Sequence, residues 1–81
     1  MLINKFMQSI LMKIIFTTHA EFRLQRRGIL KEEVIYIINF PDIVLKKHGK
    51  YFFQKKLHGG TIEVVTEKDE NFLYVITLYW I

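Results

Sequence analysis

After Pro41 the chain is cut into short apolar runs at close intervals, and this punctuation limits the fold more than any other feature. The order is "IVLKK", "HGK", "YFFQKKL", "HGG", "TIEVVTE", "KDEN" and "FLYVITLYWI". Each break is short and polar and carries Gly, Asp or Asn, the residues that tight hairpin turns require. The spacing predicts four consecutive antiparallel strands. The last run is apolar at successive positions rather than at alternate ones. It is therefore expected inside the sheet, covered at least in part on both faces.

Upstream of Pro41 the pattern differs. "KIIFT" reads as a short strand of β-branched and aromatic residues. Thr17 or Thr18 can then cap a helix by taking an orphan N–H, and Thr18 with Glu21 has the spacing of a capping box. That helix runs to about Arg27 and stops at Gly28. A second helix is expected from Lys31 to Asn39. Glu32 and Glu33 favour its first turn, and Val34, Ile37 and Ile38 supply an apolar stripe. Pro41 ends it, since the residue before a proline disfavours helical geometry. The expected order is β-α-α-β-β-β-β. The class is α+β: a short N-terminal strand, two helices, then a four-stranded antiparallel meander with the helices on one sheet face.

Eighty-one residues make one domain, and an apolar content of 51% makes a folded one. No linker, repeat or low-complexity tract divides it. Residues 1–11 read as an N-terminal extension, frayed or packed as a short helix, with Met12 as a native start and residues 12–81 as the domain. "MLINKFMQSILMKIIF" weakly resembles a signal peptide, but Lys13 interrupts the apolar tract and no small-residue cleavage site follows. The longest apolar run, residues 72–81, falls far short of the ~20 residues of a spanning helix. No membrane partner is expected. Cysteine is absent, which removes disulfides and thiolate metal sites and fits a reducing cytoplasm. The net charge of +4 suits an anionic partner, nucleic acid or an acidic protein.

The stretch "TTHAEFRLQRRGI" concentrates one histidine and three arginines. At about 100° per residue, His19, Arg23 and Arg27 fall within about 80° of one another, with Arg26 close beside them. Glu21 and Gln25 point elsewhere. Ala20 and Leu24 flank the basic face on one side and Phe22 on the other, so a partly shielded cluster at a helix–sheet edge is expected. A solvated charge face is the plainer alternative.

"HAEFRLQRRGI", Val34, "NFPDIV" and a closing "VITLY" together resemble the domain-of-unknown-function family 4258 over about residues 13–80. Leu30 departs from the pattern, standing where a Ser, Thr or Asp cap is commoner. The resemblance implies a likeness to RelE/ParE-type toxins and to barnase-like and colicin-type ribonucleases. It therefore implies a metal-independent RNA endonuclease, the toxin-like module of a toxin–antitoxin system, with an acidic antitoxin as partner.

The chemistry can be weighed on its own. Cleaving RNA without metal needs a base, an acid and cations for the phosphorane. His19 carries an imidazole, a side chain that can serve as base or acid. Arg23 and Arg27 can clamp phosphate bidentately. Thr77 and Tyr79 lie two apart on the last strand and so face one side; Thr77 can orient a proton donor and Tyr79 can stack a base or donate to phosphate. Arg26, Lys55 and Lys56 add cationic reach toward RNA, the two lysines on opposite faces of their strand. The interleaved "LKKHGKYFFQKK" reads either as a nucleic-acid surface or as a lysine-guarded hairpin edge. His48 and His58 each precede a glycine in a turn and read as turn residues. No close histidine spacing suggests a metal, no glycine-rich phosphate loop occurs, and no cofactor is called for. The alternative from another class is a non-catalytic module that binds nucleic acid or protein through the same basic face. In a third reading the cluster is structural, with Arg23 paired to Glu33 or Asp42. A homodimer stays open, given the apolar last strand.

Overall fold

A computed structural model describes residues 13–81; the expected extension over residues 1–11 lies outside them. The elements are β1 (Lys13–Phe16), α1 (Thr18–Arg27), α2 (Lys31–Asn39), β2 (Ile43–Lys47), β3 (Lys50–Leu57), β4 (Gly60–Lys68) and β5 (Phe72–Trp80). The α+β class and the two helices are as expected, but the sheet is not a four-stranded antiparallel meander. It is five-stranded and mixed, in the order β1-β5-β4-β3-β2, because β1 joins it parallel to β5. The physical reason is that β5 is apolar throughout. As an edge strand it would expose a row of unpaired backbone groups beside apolar side chains. β1 supplies the missing neighbour, and β5 becomes interior.

Thr17 ties the first strand to the last. Its N–H donates to the Val75 carbonyl at 3.1 Å, and its hydroxyl is shared between the Val75 and Ile76 carbonyls at 3.0 and 3.2 Å. The same Oγ1 accepts from Ala20 N–H at 3.1 Å, so Thr17 is the cap of α1. Thr18 forms no capping box with Glu21, whose carboxylate instead accepts from Lys31 Nζ at 2.9 Å. Gly28 closes α1 in the left-handed conformation at φ 65, and Ile29 N–H reaches back to the Leu24 carbonyl at 3.0 Å. That pattern is a Schellman cap, and it buries Ile29 beside Leu24. Leu30 contributes no side-chain cap to α2. Glu33 covers the deficit by accepting from Leu30 N–H at 2.9 Å.

The turns follow from their residues. His48 and Gly49 both have positive φ, 53 and 77, as a two-residue type I′ hairpin demands. At the β4–β5 turn, Asp69 Oδ1 accepts from the N–H groups of Asn71 and Phe72. These bonds hold the Asp69 carboxyl below the ordinary aspartate range.

The helices share one sheet face. α1 packs on β5 and β1, and α2 on β3 and β4. Ala20, Leu24, Ile29, Val34, Ile37 and Ile38 meet Phe53, Ile62, Val64, Leu73, Val75 and Leu78 in a single core. A bulge interrupts β5. Val65 pairs with Thr77 and Thr66 with Val75, so Ile76 is the extra residue. The core-facing positions therefore change phase, from Leu73 and Val75 before the bulge to Leu78 after it. Thr77 and Tyr79 fall on the opposite face, which no described element covers.

Candidate functional site

α1 puts its basic residues where the sequence places them, on a face flanked on one side by the buried Ala20 and Leu24. His19, Arg26 and Arg27 are exposed and Arg23 is half-buried. Arg23 Nε–H donates to His19 Nε2 at 3.2 Å, one helical turn back. That contact defines the imidazole. Nε2 is the acceptor, so the neutral ring carries its proton on Nδ1. Arg26 lies over the Phe22 ring, 5.4 Å from its centroid. This stacking orders a guanidinium that would otherwise sample many rotamers.

The three arginines of this face take no part in the ion pairs, and in this they resemble Lys13, Lys46, Lys47, Lys56 and Lys68. Among the described residues the ion pairs are Lys31–Glu21, Lys50–Glu67 and Lys55–Asp42. None involves Arg23, Arg26 or Arg27. Asp42, considered as a partner for Arg23, accepts instead from Lys55 Nζ at 3.2 Å and from Lys56 N–H at 2.8 Å. The Lys56 backbone bond first, and the Lys55 bond next, hold the Asp42 carboxyl below its ordinary range. Glu33, the other candidate, is occupied by Leu30 N–H. The structural reading of Arg23 thus loses both of its proposed acids.

The strand residues stand apart from this face. Tyr79 and Thr77 share the uncovered side of the sheet, as their spacing predicts, whereas α1 packs on the other side. β1 pairs only with Phe72–Val75, so on that side Ile76–Trp80 has no strand neighbour among the described residues. The Tyr79 hydroxyl is committed. It donates to Glu63 Oε1 at 2.6 Å, and Gln54 Nε2 donates to Glu63 Oε2 at 2.7 Å. The bond to Glu63 pushes the Tyr79 phenol up to about 12, with burial and the carboxylate's charge adding to it. Such a phenol is a poor proton donor near neutrality. Glu63 and Gln54 are the participants that sequence reasoning misses; the cross-strand register that joins them, Tyr79 opposite Glu63 and Glu63 opposite Gln54, is invisible before the strands are aligned.

Lys55 and Lys56 sit on β3, two strands from β5. At about 4.8 Å per strand, they lie roughly 10 Å from it. Lys55 is on the helix side, paired with Asp42 and 5.3 Å from the Tyr36 ring centroid. It is not brought together with His19. Lys56 is exposed on the opposite face, as expected of the neighbouring position. His48 and His58 lie at hairpin turns. No group of three His, Cys, Asp or Glu among the described residues is placed to hold a metal ion. No described helix is long and apolar enough to cross a membrane.

This arrangement, a two-helix α+β domain whose first helix presents His-Ala-x-x-Arg and Arg-Arg-Gly-Ile at a sheet rim, belongs to a recognised class. The model of the family described as "Domain of unknown function (DUF4258)" matches residues 16–80, and the chain is a member of that family. No curated protein and no solved structure matches the chain.

Proposed function

We propose that the outer face of α1 is a phosphate-binding site for RNA and that His19 is the acid–base group of a metal-independent, toxin-like RNA endonuclease. One observation carries this reading. Arg23, Arg26 and Arg27 have no carboxylate partner, and the first of them is hydrogen-bonded to an exposed imidazole. Unpaired guanidinium groups on an ordered helix are receptors for an external anion, and phosphate matches their fork.

The hydrogen bond between Arg23 and His19 also supplies a way to switch the base on. A phosphate is a stronger acceptor than imidazole, so bound RNA draws Arg23 away and frees Nε2. The freed imidazole takes the 2′-OH proton. The 2′-oxygen attacks phosphorus, the P–O5′ bond breaks, and O5′ leaves with a proton from water, giving a 2′,3′-cyclic phosphate. Arg23 and Arg27 offset the charge that builds on the phosphorane. The likeness to RelE/ParE-type toxins that the sequence motif implies points to the same class. It also supports an acidic antitoxin as the protein that covers the same face, in a cytoplasmic setting.

A second reading rests on a specific observation. Tyr79 is locked to Glu63 and Lys55 to Asp42, so neither stands ready beside His19 as a second proton donor. That favours a module that binds RNA through α1 without cleaving it. Inducible expression of the native chain beside His19→Ala, followed by growth and RNA integrity, separates the two. Growth arrest and RNA fragmentation by the native chain alone establish the endonuclease. Cleavage that survives His19→Ala removes the assignment, and salt-sensitive RNA binding with intact RNA establishes the binding module.

A further inference from the structure

The two faces of the sheet are not treated alike by the described elements. One is covered by α1 and α2. The other carries an apolar band built on one row, Thr77 on β5, Val65 on β4, Phe52 on β3 and Leu45 on β2, flanked by Ile43 on β2 and by Ile15 on β1, which stands in the next row opposite Tyr74. Ile43 and Leu45, at the far edge, are 50% and 40% exposed. Most of the band is aliphatic, which suits a protein segment better than nucleic-acid bases. Its rim carries Lys47, Lys50, Lys56, Glu63 and Glu67. A contiguous apolar surface bounded by charge is characteristic of a face that something covers.

We propose that residues 2–11 of the same chain cover this face. Three arguments select that occupant. The first is attachment. The segment joins β1 at Lys13, level with Phe72 and two residues before Ile15, so it enters at the sheet edge opposite β2. The second is reach. Four strand spacings amount to about 19 Å. The ten residues span about 15 Å at the short rise of a helix, enough to pass from β1 to β3, and roughly twice that when extended, enough to reach β2. The third is pattern. In "LINKFMQSIL", Ile3, Phe6, Met7 and Ile10 recur at the i, i+3, i+4, i+7 spacing that gathers apolar side chains on one side, while Asn4, Lys5, Gln8 and Ser9 fall between them. The segment contains no Asp or Glu, so it brings no acid onto a band edged by Glu63 and Glu67. The inference is independent of the reading of α1.

The test uses the full chain at low concentration. Nuclear Overhauser contacts are sought between the Phe6 ring and the methyl groups of Leu45 and Val65, with Ile37 and Val34 on the helix-covered face as internal controls. A mixed sample of labelled and unlabelled chains separates contacts within a chain from contacts between chains. Contacts to Leu45 and Val65 within one chain are the expected result. Contacts found only between chains overturn it in favour of a second copy, and absence of contacts overturns it outright. A second variant, Phe6→Asp with Ile10→Asp, is expected to shift the Leu45 and Val65 methyl signals and raise the binding of a hydrophobic dye, leaving the Leu24 methyls in place. Unchanged Leu45 and Val65 signals in that variant also overturn the proposal.

Discussion

The arginines of α1 and Lys55 of β3 have opposite fates. Lys55 finds Asp42 at 3.2 Å and rests over Tyr36, so its charge is used within the fold. Arg23, Arg26 and Arg27 find no acid, although the domain contains eight. Glu21 on the same helix and the two acids considered as partners are engaged elsewhere: Glu21 with Lys31, Glu33 with the start of α2, and Asp42 with β3. A charge satisfied at home reports on architecture. A charge left over on an ordered element is open to an external anion, which is what the proposed function uses. Sequence alone cannot draw that line, because Lys55 and Arg23 are equally basic as letters.

Substitutions on the two sides should behave differently, and the largest difference is expected for His19→Ala. Cleavage should fall by about 10²–10⁴-fold, the usual worth of a general acid or base, while the denaturation midpoint stays within the range of surface changes, roughly 0.5 kcal/mol. A large loss of stability would show His19 to be structural and would break the comparison.

Replacing Arg23, Arg26 and Arg27 by Ala should weaken RNA binding roughly tenfold per arginine at low salt. It should also flatten the dependence of log K on log salt by about 2, at ~0.7 for each single-strand phosphate that is no longer neutralised. Binding titrations at several ionic strengths read both quantities. Lys55→Ala should leave the slope alone.

Glu63→Gln probes the locked network on the sheet face opposite the helices. In the native protein the raised Tyr79 value means that the bond to Glu63 favours the neutral phenol. The stability it contributes is therefore present below about pH 10 and is lost as pH rises toward about 12. The variant should show Tyr79 ionising closer to 10 by ultraviolet titration, and it should unfold about 1–2 kcal/mol more easily at neutral pH.

The smallest effect is expected for Asp42→Asn. Its depressed pKa makes the native carboxylate stabilising above the ordinary aspartate value, and that contribution is lost as pH falls through the lowered one. The native and variant melting temperatures should differ slightly at neutral pH and converge in acid. A gap that persists at low pH would point to packing rather than charge.

Much of this fold is written locally. Gly28, Pro41, the His-Gly turn and the apolar stripe of α2 each act within a few residues, so both helices and the three hairpins can be read off the letters. What cannot be read is what depends on distant partners. The parallel pairing of β1 with β5 has no local signature, and the extra residue at Ile76 emerges only when β4 is laid beside β5. The site divides the same way. The helical face of His19, Arg23 and Arg27 follows from their spacing. The capture of Tyr79 by Glu63, and of Lys55 by Asp42, is a matter of register and tertiary approach. Thr18 with Glu21 shows the converse error: a correct local motif loses when Lys31, ten residues on, offers the carboxylate a cation.

The pairing of β1 with β5 has a consequence in time. The strand that launches α1 has its sole partner among the described strands nearly sixty residues later, and Thr17 waits on the same segment to anchor the helix start. During synthesis the β2–β3–β4 hairpins can close as they emerge, whereas β1 and α1 have nothing to dock on until β5 has left the ribosome. The arginine face is thus the last part of the domain to be set in place, and a nascent chain does not present it in working form.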